Sequence, residues 1–210
     1  MEPAVSKPTR RLVLGLLAAA PAFGARAAPV SGPALVSAAR RQIGVTTGYD
    51  HGYHPIAYPG GDVPLYTGVC ADVVVRAARV GWRLDLQKLV HEDMSRDFAA
   101  YPKRWGLTQP DSNIDHRRVP NLETYWSRQG ALLWRAGSRG WGVDFHGALQ
   151  PGDLLTWRGF FTGGPHVAIV SRGGDWPRII HNHGWGVRET LLLGRWLDAA
   201  EGHFRWRPSV

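Results

Sequence analysis

The chain has one cysteine, Cys70, in 210 residues. A lone thiol excludes an internal disulfide and any metal centre built on paired cysteines. Beyond residue 27 no apolar run approaches the roughly 20 residues that a membrane-spanning helix needs. Internal repeats and low-complexity linkers are also missing, which leaves one domain of ordinary size. No group of lysines and arginines reaches the density of a nucleic-acid site, so nucleic acid is set aside as a partner.

The N-terminus reads as an export signal. Lys7, Arg10 and Arg11 form a basic start, a short apolar run from Leu12 to Ala20 follows, and Ala25-Arg26-Ala27 is a small-residue cleavage site. Residues 1–27 are therefore expected to be a signal peptide and residues 28–210 a single mature domain that is exported and periplasmic. Thr9-Arg10-Arg11-Leu12 also fits a twin-arginine signal, so Sec and twin-arginine export both stay open. The mature domain keeps about +5 of the formal +8, a balance that suits work near an anionic polymer such as the cell wall and suits plain solubility equally.

Apolar residues at helical spacing predict a helix over 33–43, closed by Gly44. Residues 46–68 hold too many glycines and prolines for regular structure and read as a surface loop leading into a helix that opens at Cys70. Further helices are expected over 86–100 and 121–129. From Asp153 the pattern changes to short apolar runs between turns, with strands expected at 153–157, 166–171 and 178–182, then at 187–192 and 203–206. Helices first and an antiparallel meander second predict an α+β domain.

Cys70 follows a glycine turn at a helix start, where the helix dipole is expected to favour a thiolate. A cysteine nucleophile needs an imidazole to accept its proton and a third polar group to orient that imidazole. His166 opens one apolar strand, and His181 with Asn182 closes the next. Successive strand residues point to opposite faces, so only one of His181 and Asn182 can face His166 in a regular strand.

The order of these segments resembles the NlpC-type branch of the papain-like cysteine peptidases. Tyr58-Pro59-Gly60-Gly61-Asp62 is similar to the loop that precedes the nucleophile in that family, Val69-Cys70-Ala71-Asp72 occupies the nucleophile position, and His166-Val167-Ala168-Ile169-Val170 is similar to the strand bearing the base. Val69 and Ala71-Asp72 depart from the family's Asp-Cys-Ser-Gly. Several strings resemble a bacterial family catalogued only as a domain of unknown function, number 1287. They include Val45-Thr46-Thr47-Gly48-Tyr49-Asp50, Lys88-Leu89-Val90-His91-Glu92-Asp93-Met94 and Asn113-Ile114-Asp115-His116-Arg117-Arg118. The NlpC resemblance implies N-terminal helices packed on an antiparallel sheet and hydrolysis of an amide bond in peptidoglycan stem peptides. It also implies Cys70 as nucleophile, His166 as base and His181 as the orienting group. Tyr49 or Tyr58 is then expected to add a hydroxyl to the oxyanion site, beside the Cys70 backbone N–H. Asp72, Asn182, Arg117 and Arg118 complete the candidate substrate-binding or oxyanion group.

Other polar groups read more plainly. His91, Glu92 and Asp93 are consecutive on a helix and read as a solvated face. Arg117 and Arg118 either clamp a substrate carboxylate or pin their own loop through ion pairs. His51, His54 and His183 lack a zinc-protease context, so no metal and no cofactor are assigned. Trp141, Trp176 and Trp185 are expected near the site, where they can stack on sugar rings. Two rival functions share the same residues: a cysteine acyltransferase of transglutaminase type, and a catalytically inactive wall-binding module.

Overall fold

Ser31 starts the first helix: its hydroxyl accepts the amide of Ala34 at 3.3 Å, and Pro33 supplies a φ suited to a first turn. The computed structural model describes residues 30–136, 148–158, 164–194, 196 and 199–208. The expected signal peptide and Trp141 lie outside the described residues. Helix α1 spans Gly32–Arg40 and ends three residues short of the expected boundary, because the chain turns toward Gly44 at φ +78° and leaves Ile43 exposed.

Helix α2, Cys70–Trp82, follows an extended Val69, and the Asp72 carboxylate reaches back to accept the Val69 amide at 2.6 Å. Helix α3, Leu86–Arg96, is capped by Asp85, whose carboxylate accepts the Gln87 amide at 3.1 Å. The expected helix to Ala100 stops at Asp97, and Phe98–Ala100 forms a single 3-10 turn. That turn brings the Tyr101 hydroxyl back to donate to Asp93 at 2.6 Å. Asp93 also accepts from Arg128 at 2.7 Å, so it is a buried tie between helices rather than part of a solvated face. Helix α4, Val119–Arg128, carries Pro120 in its first turn.

Among the described residues six strands form one antiparallel sheet: β1 Leu132–Arg135, β2 Leu154–Arg158, β3 Pro165–Arg172, β4 Arg178–Asn182, β5 Val187–Leu191 and β6 Gly202–Phe204. The order across the sheet is β1-β6-β2-β3-β4-β5. The meander from β2 to β5 is the expected one. Strand β1 was not anticipated, since Leu132-Leu133-Trp134-Arg135 does not alternate, and β6 returns to sit between β1 and β2. The protein is thus α+β, with N-terminal helices packed on an antiparallel sheet. No helix among the described residues is long and apolar enough to cross a membrane.

Both faces of the sheet are covered. Leu154, Val167, Ile169, Ile180 and Phe204 join the helix-side core with Leu35, Val74 and Trp126. Leu155, Trp157, Ala168, Val170 and Ile179 pack a second cluster on the opposite face, against Trp196. Alternation along each strand therefore assigns the buried side chains of β3 and β4, residues 166–171 and 179–182, to one of two packed environments. Where α1 meets the turn before β2 the backbones touch: a Cβ on Gly32 would lie 1.8 Å from the Pro151 carbonyl oxygen.

The long segment between α1 and α2 has no regular structure, and one arginine organises it. Arg76 of α2, whose side chain is 6% exposed, makes a fork to Asp62 at 2.9–3.1 Å. It also donates to Thr46 Oγ1 and to the carbonyls of Val63 and Thr67. Replacing it strands several buried acceptors at once. We expect Arg76→Met to cost about 3 kcal/mol, measured as a lower denaturation midpoint with an unchanged urea m-value.

Candidate active site

Cys70 lies at the foot of a cleft of about 550 Å³. Gly68, at φ +151°, turns the chain into α2 and puts Cys70 at the first helical position, where its amide has no carbonyl of its own helix to bond. Three contacts hold the turn in place. Asp72 takes the Val69 amide on one side and the Arg117 guanidinium on the other, at 3.0 Å, with both side chains 3% exposed. Arg117 also donates to the carbonyls of Asp50 and Gly52. Asn182, from the end of β4, donates to the carbonyls of Gly48 and Gly68, each at 2.9 Å.

The thiol sits against the open edge of β3. Its sulfur lies 4.0 Å from the Pro165 carbonyl oxygen, with the Val167 amide and the Tyr49 hydroxyl close enough to favour its charged form. Residues 165–167 pair with β2 on one edge, while pairing with β4 starts only at Ile169, which leaves their other edge open toward the sulfur. Burial pushes the Cys70 thiol up to about 11, and the nearby Asp72 charge adds to the rise. The helix start does not overcome these effects, so the resting group is a thiol, against the expectation of a thiolate.

His166 projects from β3 on the other face of the sheet, with its ring against Trp157 and Trp196. Its Nε2 lies 2.9 Å from His181 Nδ1, and His181 Nε2 lies 3.1 Å from Thr190 Oγ1. Strand parity decides between the two candidates for third residue: His181 shares a face with His166, whereas Asn182 points to the helix side and holds the Cys70 turn. Burial, then the neighbouring His181 and His183, hold His166 well below the usual imidazole value. Burial likewise lowers His181 to about 4. Among the described residues no hydrogen bond joins His166 to the thiol. Its Nε2 is the nitrogen engaged with His181, and no described residue bonds to its Nδ1.

Those contacts fix one self-consistent set of tautomers for a His166 that accepts a proton at Nδ1. Its own proton then sits on Nε2 and is donated to His181 Nδ1, and His181 in turn donates from Nε2 to Thr190. Thr190 was not anticipated from the sequence. Its only signal is the β4–β5 register, which puts it opposite Ile179 and so on the His181 face.

The remaining expectations divide. Tyr49 lines the cleft beside Cys70. Tyr58 does not: it is 42% exposed and packs its ring edge on His91, while Gly60 and Gly61 bond to Asp85 and Gln87 at the start of α3. The glycine loop that resembles the family pattern therefore anchors a helix instead of lining the site. Arg118 lines the cleft, with its guanidinium 4.2 Å above the Trp105 ring and 3.1 Å from Asp115. His54 is held by Asp50 at 2.8 Å, His51 lines the cleft, and His183 stacks beside His181 on the far face, so the three do not meet. Trp185 is exposed above a second hollow of about 210 Å³ beside His181, and Trp176 is exposed at the β3–β4 turn.

Residues 36–206 match a family described as a domain of unknown function, DUF1287. The uncharacterized protein YijF of Escherichia coli (strain K12) is 48% identical over 176 residues, which cover 82% of this chain and 80% of that one. A solved NlpC/P60 family protein from Bacillus cereus ATCC 10987 is 24% identical with a TM-score of 0.25. That likeness covers 43% of this chain and 32% of that protein. By the match of most of its length, the chain belongs to the DUF1287 family.

Proposed function

We propose that the protein is an exported, periplasmic cysteine hydrolase that cleaves an amide bond in peptidoglycan stem peptides. The observation that carries this reading is the placement of Cys70 at a helix start in a cleft, against the strand that bears the hydrogen-bonded pair His166 and His181. In the reaction, Sγ attacks the amide carbon and its proton is taken by the imidazole of His166, which stands on β3 next to the Pro165 carbonyl that the sulfur lies against. The C–N bond breaks when the imidazolium returns that proton to the leaving amine, and water then hydrolyses the thioester with the same imidazole as base. Tyr49 and the Cys70 amide face the oxygen that gains charge. His181 acts through His166, as a positioning residue backed by Thr190. The expected signal peptide supports this reading, and the basic charge of the mature domain suits work beside an anionic wall polymer. Mass spectrometry of purified sacculi digested with the protein tests the reading, and the absence of new fragments while Cys70 remains alkylatable would refute it.

Substitutions separate the roles. Cys70→Ser and His166→Ala are expected to lose essentially all activity with little change in thermal stability, because each removes a reacting group. His181→Ala should lower kcat by more than about tenfold with little change in KM, since the lost contact matters most when the imidazolium forms. Asn182→Ala should behave differently. It frees two carbonyls at the Cys70 turn and is expected to cost about 1–3 kcal/mol of stability, visible in a melting curve.

Proton linkage supplies two further readouts. His166 and His181 are held below their ordinary imidazole value, so from about pH 6.5 downward the unfolded chain binds more protons than the folded one. Stability contributed by the neutral pair is complete above pH 6.5 and declines as pH falls toward 4, which acid titration of the melting temperature measures. Alkylation of Cys70 by iodoacetamide should keep rising past the ordinary thiol range toward pH 11. A plateau near pH 8.5 would show a thiol in a solvated setting instead.

A further inference from the structure

Arg117 and Arg118 are adjacent in sequence but differ in what their donors do. Arg117 is saturated: Nε and Nη2 bind Asp72, Nη2 also reaches the Asp50 carbonyl, and Nη1 binds the Gly52 carbonyl. Arg118 uses one of its five N–H donors, on Asp115 at 3.1 Å, and no other described residue takes the remaining four. Its flat face is fixed over Trp105 at 4.2 Å, and its side chain is 16% exposed. The guanidinium is thus positioned by an acid at one end and an aromatic face below, with one edge of its fork open.

That open edge belongs to the wall of the Cys70 cleft. Among the described residues the titratable groups lining the cleft are Tyr49, His51, Cys70, Arg117 and Arg118, and no carboxylate is with them. The two acids that balance the arginines, Asp72 and Asp115, are buried behind them at 3% and 1% side-chain exposure. Cations face the cleft and anions lie behind the wall, so the field in the cleft favours a negative group on the ligand.

The geometry points to Arg118 as a specificity-determining residue that receives a carboxylate of the substrate through its free fork, so that the cleft takes peptides carrying a free carboxylate close to the amide presented to Cys70. A guanidinium matches a carboxylate with two parallel N–H···O bonds, which a neutral carboxamide cannot reproduce. Stacking on Trp105 removes the entropy cost of ordering a long side chain on binding. The inference rests on the reading of Cys70 as an acyl nucleophile, and binding tests it apart from turnover.

The experiment compares a synthetic wall-stem tetrapeptide bearing free carboxylates with the same peptide in its carboxamide form. Binding of each is measured by calorimetry to the full chain carrying Cys70→Ala, alone and combined with Arg118→Gln or Arg118→Lys. The acid form should bind at least about tenfold more tightly than the amide, and more weakly at high salt. Arg118→Gln should erase that preference, while Arg118→Lys keeps the charge without the fork and retains part of it. Melting curves show that the variants are folded. Equal binding of the two peptides, no binding of either, or a preference that survives Arg118→Gln overturns the inference. Hydrolysis by the unsubstituted protein is scored separately: cleavage without a carboxylate preference leaves the hydrolase standing and removes the Arg118 role, whereas preference without cleavage does the reverse.

Discussion

Everything at the candidate site depends on how an irregular segment is held against α2. Between Arg40 and Cys70 the chain forms neither helix nor strand, yet it must deliver Tyr49 and the Gly68 turn to the same place. Backbone polar groups in such a segment have no ladder to satisfy them. Two buried guanidiniums take over that work: Arg76 gathers Asp62, Thr46 and the carbonyls near residue 65, and Arg117 gathers Asp72 and the carbonyls of Asp50 and Gly52. Buried ion pairs contribute little net stability, because desolvation offsets most of the attraction. Their effect here is geometric, since breaking either leaves carbonyls unpaired and loosens the turn that carries Cys70.

The sheet imposes the second constraint. With both faces buried, each residue of β3 and β4 enters a different packed environment from its neighbour, and a shift of one residue would exchange them. His166 and His181 therefore travel together with Trp157 and Trp196, while Asn182 joins the helix side. A histidine pair and an amide that look equivalent in sequence thus acquire separate surroundings, the pair bonded to each other among tryptophans and the amide holding backbone carbonyls.

Much of this was legible in the chain itself. The helices α1 to α4 and the β2–β5 meander follow from periodicity, which is a local property, whereas parity alone left His181 and Asn182 open as partners of His166 and the choice of His181 came from the family resemblance. Strand β6 returning beside β2, the tether from Asn182 to Gly48 and the packing of Tyr58 on His91 were not legible. Each depends on contacts across many residues that leave no periodic trace. The thiol's protonation was misjudged for a related reason. A helix start is visible in sequence, but the desolvation that outweighs it exists only once Val69, Cys70 and Ala71 are packed into the core.

The raised thiol and lowered imidazole describe a resting pair that is neutral on both sides. In a dry setting a neutral pair is favoured over a thiolate and an imidazolium unless each ion gains a partner. His181 offers the imidazolium such a partner at Nε2, through the relay that ends at Thr190. The Val167 amide and the Tyr49 hydroxyl lie beside the sulfur and favour its charged form. In the proposed reaction the proton shift coincides with bond formation instead of preceding it, so that buried charge develops only alongside the groups placed to bear it.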